Sequence, residues 1–102
     1  MSNLNTRRRL NDEEMEQIAR HFRLLGEPMR LKILQAVCKA PRTVTEIVAA
    51  TGATQANVSK HLALLAAAGI LRRTTDGQCV DYGVKDRLTM RLCALVHSNL
   101  IK

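Results

Sequence analysis

The segment from Thr54 to Leu71, TQANVSKHLALLAAAGIL, constrains the fold more than any other part of this 102-residue chain. Within it, Val58, Leu62 and Leu65 recur at the spacing of one helix face. The first two turns also carry hydrogen-bonding side chains. A threonine that can cap the helix begins the segment, and a glycine that can end the helix lies near its close. The pattern therefore predicts a helix with one buried side and one polar, exposed side.

The flanking segments place this helix in a recognisable order of elements. Upstream, residues 43–53 predict a short helix with a threonine cap and a terminal glycine. Downstream, Ile70-Leu71 and residues 80–82 resemble strands that pair across a turn at Asp76-Gly77. Helix, tight turn, helix and hairpin is the order of a winged helix-turn-helix. That arrangement presents the polar face of its second helix to a DNA major groove.

The rest of the chain predicts three more helices, over about residues 12–25, 28–39 and 86–100. Asn11 can cap the first of these, and Pro28 fits the first turn of the second. The predicted fold is thus mainly α with a small β-hairpin wing: four helices, two strands and a fifth helix.

Charge and composition favour a DNA-binding domain of this kind. We expect one domain over residues 11–102, after a loose basic arm of residues 1–10. The net charge is +7; residues 28–75 carry seven basic side chains against one acidic one, whereas residues 12–27 carry five acidic against two basic. A basic surface attracts phosphate backbones, and the aromatic content of 2% argues against base stacking on single strands. Because no apolar run approaches the ~20 residues of a spanning helix, we expect no membrane partner. Three cysteines without regular spacing do not indicate a disulfide framework, so we expect a cytoplasmic location.

The predicted DNA contacts lie in three places. On the second helix of the motif, Gln55 and Asn57 can pair with adenine, and Lys60 with guanine or phosphate. Threonines at helix starts can bind phosphate beside free N–H groups. The hairpin would touch the backbone or the minor groove. The candidate DNA-binding residues are Thr43, Thr45, Thr54, Gln55, Asn57, Ser59, Lys60, His61, Arg72, Arg73, Thr75 and Gln78.

Three pieces of the chain resemble the ArsR/SmtB family of winged-helix repressors. GEPMRLKIL, residues 26–34, resembles the family's entry to its second helix. Residues 54–71 resemble its recognition helix, and residues 80–82 the end of its wing. The resemblance implies a homodimer, formed through the first and last helices, that binds an inverted-repeat operator in double-stranded DNA. It also implies a repressor that an effector releases from DNA.

The metal sites of that family lack matching residues here. Where arsenic-type and lead- or cadmium-type members have a Cys-x-Cys, this chain has Thr43-Val44-Thr45. On the last helix, where zinc-type members have an Asp-x-His and a second histidine motif, it has Asp86 and a lone His97. Because one carboxylate and one imidazole do not complete a zinc site, we predict neither a metal site nor a cofactor.

Three cysteines are the candidate regulatory thiols. Some family members sense persulfides or oxidants with one thiol on the second helix and one on the last. Cys38 with Cys93 resembles that plan, with both positions shifted along their helices. The alternative is core packing, since free cysteines are often buried. Cys79, in the hairpin, is the third candidate because an adduct there would disturb DNA contact.

Two other functions remain open from the sequence. The winged helix can be a protein-interaction module, or a regulator of this family that senses a metal or small ligand at a non-standard site. Salt-dependent binding to a specific duplex separates DNA binding from protein binding. The chain has no phosphate loop, paired carboxylates or nucleophile motif that would indicate an enzyme.

Overall fold

The computed structural model describes residues 9–101, which form five helices and three strands. The helices are α1 (Asp12–Leu25), α2 (Pro28–Val37), α3 (Val44–Thr51), α4 (Gln55–Ala67) and α5 (Arg87–Leu100); the strands are β1 (Arg42–Thr43), β2 (Leu71–Asp76) and β3 (Cys79–Val84). This architecture is the predicted winged helix-turn-helix, mainly α with a small wing. Most of the predicted arm, residues 1–8, lies outside the described residues, as does residue 102.

Local capping explains where the helices of the motif begin. Before α3, Thr43 Oγ1 accepts a hydrogen bond from Glu46 N at 3.2 Å, and the Glu46 carboxylate accepts one from Thr43 N at 2.9 Å. Before α4, Thr54 Oγ1 accepts a hydrogen bond from Asn57 N at 3.1 Å. Gly52 ends α3 with φ at 74°, a left-handed conformation that glycine adopts without a Cβ clash. The predicted starts of both helices, and the predicted end of α3 at Gly52, are thereby confirmed.

The sheet has one strand more than predicted and a different register. Its antiparallel order is β1-β3-β2, because the two-residue β1 pairs with β3 on the side away from β2. The predicted pairing of Ile70-Leu71 with residues 80–82 is wrong, since Leu71 pairs with Val84 and Ile70 precedes the strand. Both wing strands are six residues long. The turn at their far end, Gly77-Gln78, is therefore carried away from the core.

The core lies among α2, α3, α4 and the start of β2. The predicted inward stripe of α4, Val58, Leu62 and Leu65, is fully buried, which confirms that prediction. Leu31 of α2 is 43% exposed, because α2 turns Ile33, Leu34 and Val37 to the core instead. The core also contains the buried side chains of Ile33, Leu34, Val37, Ile47, Ile70 and Leu71.

A second apolar surface, on α1 and α5, faces solvent in the single chain. Phe22 of α1 is 57% exposed and Leu95 of α5 is 67% exposed. The exposed large apolar side chains of these two helices, together with the residue after α5, are Met15, Phe22, Leu88, Leu95, Val96, Leu100 and Ile101. We call this set the α1/α5 face. Within residues 9–101, no helix has both the length and the apolar character to cross a membrane.

Candidate nucleic-acid interface

The first two turns of α4 present polar side chains to solvent. Gln55, Ser59 and Lys60 are exposed, and Asn57 is half-buried. Lys60, two residues after Val58, points to the side opposite the buried stripe, whereas Gln55 lies one turn before Val58 and is exposed because it begins the helix. The core thus holds the helix while these polar side chains stay free for a ligand. The exposed Thr54 uses its hydroxyl oxygen to accept the capping hydrogen bond. The hydroxyl hydrogen can still be donated to a phosphate oxygen.

Before α3, the hydroxyl of the half-buried Thr43 has the same capping role, and Thr45 in the first turn is exposed. These two threonines therefore lie at a helix start, as predicted. Helix starts present backbone N–H groups that favour anions.

The prediction that His61 faces DNA is wrong, because its side chain is only 5% exposed. Arg30 Nε donates a hydrogen bond to His61 Nδ1 at 3.2 Å. A guanidinium can only donate, so Nδ1 is the acceptor and the neutral ring carries its proton on Nε2. Arg30 Nη1 also donates to the carbonyl oxygen of Leu24 at 2.9 Å. One arginine of α2 thus joins the end of α1 to α4.

Arg30 was missed in the sequence because an arginine near a helix start resembles an ordinary surface residue. The Arg30 amide donates a hydrogen bond to the side chain of Glu27, the residue that caps α2. Burial acts to raise the pKa of Glu27, but backbone hydrogen bonds from Arg30 and Met29, together with the charge of Arg30, outweigh it and the net shift is downward. The ionised Glu27 thus lies beside the Arg30–His61 pair and balances its charge.

The predicted wing residues Arg72, Arg73, Thr75 and Gln78 are all exposed, but they divide between two faces. Alternate residues of a strand point to opposite sides, so Arg73 and Thr75 share one face and Arg72 lies on the other. Arg73 Nη1 donates to Thr75 Oγ1 at 3.3 Å on the first face. Gln78 lies in the turn, after Gly77 with φ at 64°. Arg72 therefore cannot contact the same surface as Arg73 and Thr75 from this strand.

The three cysteines are free thiols in three different surroundings. Cys38, at the end of α2, lines a cavity beneath the wing, whereas Cys93 lines an apolar cavity between α1 and α5. Burial raises the pKa of the Cys93 thiol. The exposed Cys79 also has a raised pKa, mainly because the charge of Asp81 lies beside it. Since the thiolate is the reactive form, neither shift activates its thiol.

A buried polar chain fixes the start of α5 against α1. Thr89, only 1% exposed, donates its hydroxyl hydrogen to Asp86 Oδ2 at 2.6 Å. Its oxygen is 3.1 Å from His21 Nε2, and because the hydroxyl hydrogen is already used, His21 is the donor there. The hydrogen bond from Thr89 is the main cause of a lowered pKa at Asp86. Neither His21 nor Asp86 belongs to a larger cluster: in residues 9–101, no three His, Cys, Asp or Glu side chains group as metal ligands.

Comparison with known proteins identifies the motif region. Residues 27–73 match the sequence model of the family described as "Bacterial regulatory protein, arsR family". The matched region begins at the cap of α2 and ends within β2. It therefore contains the Arg30–His61 pair and the whole polar face of α4.

Two curated relatives and one solved structure are similar to this chain. A probable mercury resistance operon repressor of Streptomyces lividans is 41% identical over 68 residues, which are 67% of this chain and 54% of the relative. The transcriptional regulator CmtR of Mycobacterium tuberculosis is 35% identical over 69 residues, 68% of this chain and 58% of that protein. This chain thus matches little more than half the length of either relative. The solution structure of a homodimeric winged helix-turn-helix DNA-binding domain, Mb0332 from Mycobacterium bovis, is 28% identical with a TM-score of 0.76, over 87% of this chain and 85% of that one.

Proposed function

Because the chain belongs to the arsR family of bacterial regulatory proteins, we propose that it is a homodimeric repressor of transcription in the cytoplasm. It binds an inverted-repeat operator, with one α4 helix in each of two successive major grooves. The observation that carries this proposal is the exposed polar face of α4 above a fully buried apolar side. A basic, exposed hairpin follows that helix directly.

Each contact has a distinct chemical role in this proposal. Gln55 and Asn57 donate to and accept from adenine edges, and Lys60 pairs with guanine or phosphate. The threonines at the starts of α3 and α4 bind phosphate and set the register of the protein on the duplex. Arg73, Thr75 and Gln78 contact the backbone or the minor groove from the wing. His61 has a supporting role instead, because it holds α4 against α2 through Arg30.

The dimer joins two copies of the α1/α5 face. This face carries large apolar side chains that a single chain leaves in water, and burying apolar surface is the main driving force of association. The similar Mycobacterium bovis domain is homodimeric. A dimer also places two α4 helices at once, as two half-sites one helical turn apart require.

An effector that lowers DNA affinity completes the proposed cycle, with Cys38 and Cys93 as the thiols on which it acts. The two thiols line different cavities, so each would be modified separately. Cys38→Ser and Cys93→Ser variants, tested reduced and with polysulfide, peroxide or thiophilic metal, decide the matter. Unchanged DNA affinity of the wild type under all these conditions would remove thiol regulation from the proposal.

The decisive experiment for DNA binding is fluorescence anisotropy with duplexes from the protein's own promoter region, measured from 50 to 300 mM salt. We expect a steep fall of affinity with salt, and in Lys60→Gln a loss of roughly one unit of the salt slope. Lys32→Gln removes the same charge from an exposed position on α2 and should leave the slope unchanged. If no duplex binds at low salt, the chain is a protein-interaction module and the repressor proposal fails.

A further inference from the structure

A small cavity lies at the base of the wing, between the end of α2, the wing strands and the start of α5. We call it the wing-base cavity. Three basic side chains line it, Lys39, Arg72 and Arg87, together with Thr74 and Cys38. No acidic residue is part of its lining.

The three cations have no partner in the part of the chain that the structure describes. The ion pairs there join Arg20 and Arg23 to Glu16, and no hydrogen bond involves the side chains of Lys39, Arg72 or Arg87. Three like charges around one small space repel each other, and an anion between them would remove that repulsion. The hydroxyl of Thr74 can donate a hydrogen bond to the same anion.

The remaining wall of the wing-base cavity is closely packed at one point. Besides the polar groups, the lining consists of apolar or small residues, among them Val37, Pro41 and Gly83. Pro41 packs so closely on Gly83 that an added Cβ would lie 3.1 Å from Pro41 Cγ.

The size of the cavity limits the ligand. Its volume is about 120 Å³, enough for several waters since one needs about 10–15 Å³. Sites for drug-sized molecules measure about 300–1,000 Å³. A four-oxygen anion or a single phosphate group of a longer chain fits this space, and a whole nucleotide does not.

We propose that the wing-base cavity binds a small oxyanion of the phosphate or sulfate type, held by Lys39, Arg72 and Arg87. The anion is either free in solution or a phosphate group of the DNA backbone. Because the cavity joins α2, the wing and α5, an anion in it ties these three elements together. This inference goes beyond the proposed repressor function and does not depend on it.

Cys38 makes the site measurable because it lines the same cavity. The experiment follows alkylation of the folded protein by an uncharged maleimide, with peptide mass spectrometry to separate the three cysteines. Inorganic phosphate and sulfate are compared with chloride at equal ionic strength. We expect phosphate to slow alkylation of Cys38 at least about 5-fold at saturation and to leave Cys93, in its apolar cavity, unchanged.

Two charge-removing variants of α5 provide the matched pair. Arg87→Gln removes a lining cation, whereas Arg91→Gln removes an exposed cation one turn further along that is not part of the lining. We expect Arg87→Gln to raise the phosphate concentration for half-protection roughly 10-fold, as loss of a charged hydrogen-bond donor predicts, and Arg91→Gln to change nothing. Equal protection by chloride, or equal effects of the two variants, would overturn the proposal.

An experiment with operator DNA distinguishes a free anion from a backbone phosphate. If operator DNA also protects Cys38 and Arg87→Gln lowers the salt slope of DNA binding by about one unit, the bound group is a backbone phosphate. If phosphate protects and the slope is unchanged, the ligand is the free oxyanion. If phosphate protects Cys38 but the protein does not bind DNA, only the repressor proposal fails. If the protein binds DNA but neither phosphate nor DNA protects Cys38, only the anion-site proposal fails.

Discussion

The polar face of α4 and the α1/α5 face meet solvent in opposite ways. On α4, polar side chains point outward while Val58, Leu62 and Leu65 are fully buried. On α1 and α5, large apolar side chains such as Phe22 and Leu95 point outward instead. In a single chain, water can hydrogen-bond to the polar side chains of α4, whereas contact with water is unfavourable for the apolar side chains of the α1/α5 face. The contrast favours a protein in which each protomer contacts DNA through its own α4, and in which two protomers associate through the α1/α5 face.

The strongest test of this contrast is Leu95→Glu, which puts a charge in the centre of the α1/α5 face. If that face is the dimer interface, each copy buries an unpaired carboxylate at a cost of about 3 kcal/mol or more. We expect dimerisation to weaken at least about 100-fold, measured by light scattering across a dilution series, and operator binding to weaken with it.

Ala94→Glu is the matched control for that variant. Ala94 is exposed and precedes Leu95 by one residue, so its side chain points about 100° away around α5. We expect it to remain dimeric. Dimers of unchanged stability in Leu95→Glu would show that the two copies do not meet through this face.

A smaller effect is expected beneath the α1/α5 face, at the polar chain of His21, Thr89 and Asp86. Thr89→Val keeps the shape but leaves the His21 donor and the Asp86 carboxylate without that hydroxyl. We expect a loss of about 1–3 kcal/mol in the free energy of unfolding at pH 7, measured by urea denaturation. Thr75→Val, in the exposed wing, should cost far less.

The pH dependence of that loss follows from Asp86. Its pKa is lowered in the folded protein, chiefly by the Thr89 hydroxyl. The stabilisation is therefore complete above the ordinary aspartate pKa of about 3.9 and disappears as the pH falls through the lower, folded value. The difference between wild type and Thr89→Val should shrink below about pH 4. A difference that stays constant into acid would mean that the threonine acts by packing alone.

The Arg30–His61 hydrogen bond connects α4 with the helices of the α1/α5 face, because Arg30 also donates to the carbonyl oxygen of Leu24 near the end of α1. A double-mutant cycle of Arg30→Met and His61→Phe measures the coupling. We expect about 1 kcal/mol in stability, and each single variant should lower operator affinity without changing the salt slope. Additive effects in both measurements would show that the pair does not position α4.

The sequence predicts best what is decided locally. Thr43 and Thr54 cap their helices through residues three positions away, so both helix starts were predictable. The strand β1 was not, because two residues become a strand only by pairing with a segment about forty positions away. His61 was misplaced for the same reason, since its partner Arg30 belongs to another helix. The exposed α1/α5 face was predicted as a dimer surface only through family resemblance.

The smallest expected effect compares two thiols whose pKa values are raised for different reasons. At Cys79 the main cause is the charge of Asp81, whose Oδ1 also accepts a hydrogen bond from Cys79 Sγ at 3.8 Å. At Cys93 the cause is burial. Removing the charge in Asp81→Asn should lower the pKa of Cys79 and speed its alkylation by iodoacetamide at pH 8 about 2- to 5-fold, because thiolate is the reactive form.

Salt provides the second arm of that test. A charge at the surface is screened by added ions, whereas burial is not. Raising the salt from 50 to 500 mM should therefore speed alkylation of Cys79 in the wild type, speed it less in Asp81→Asn, where the weaker effects of Asp76 and Glu46 remain, and leave Cys93 unchanged in both. If Cys93 accelerates as much as Cys79, a screened charge and not burial controls its thiol. The α1/α5 face would then be more open to water than its apolar side chains indicate.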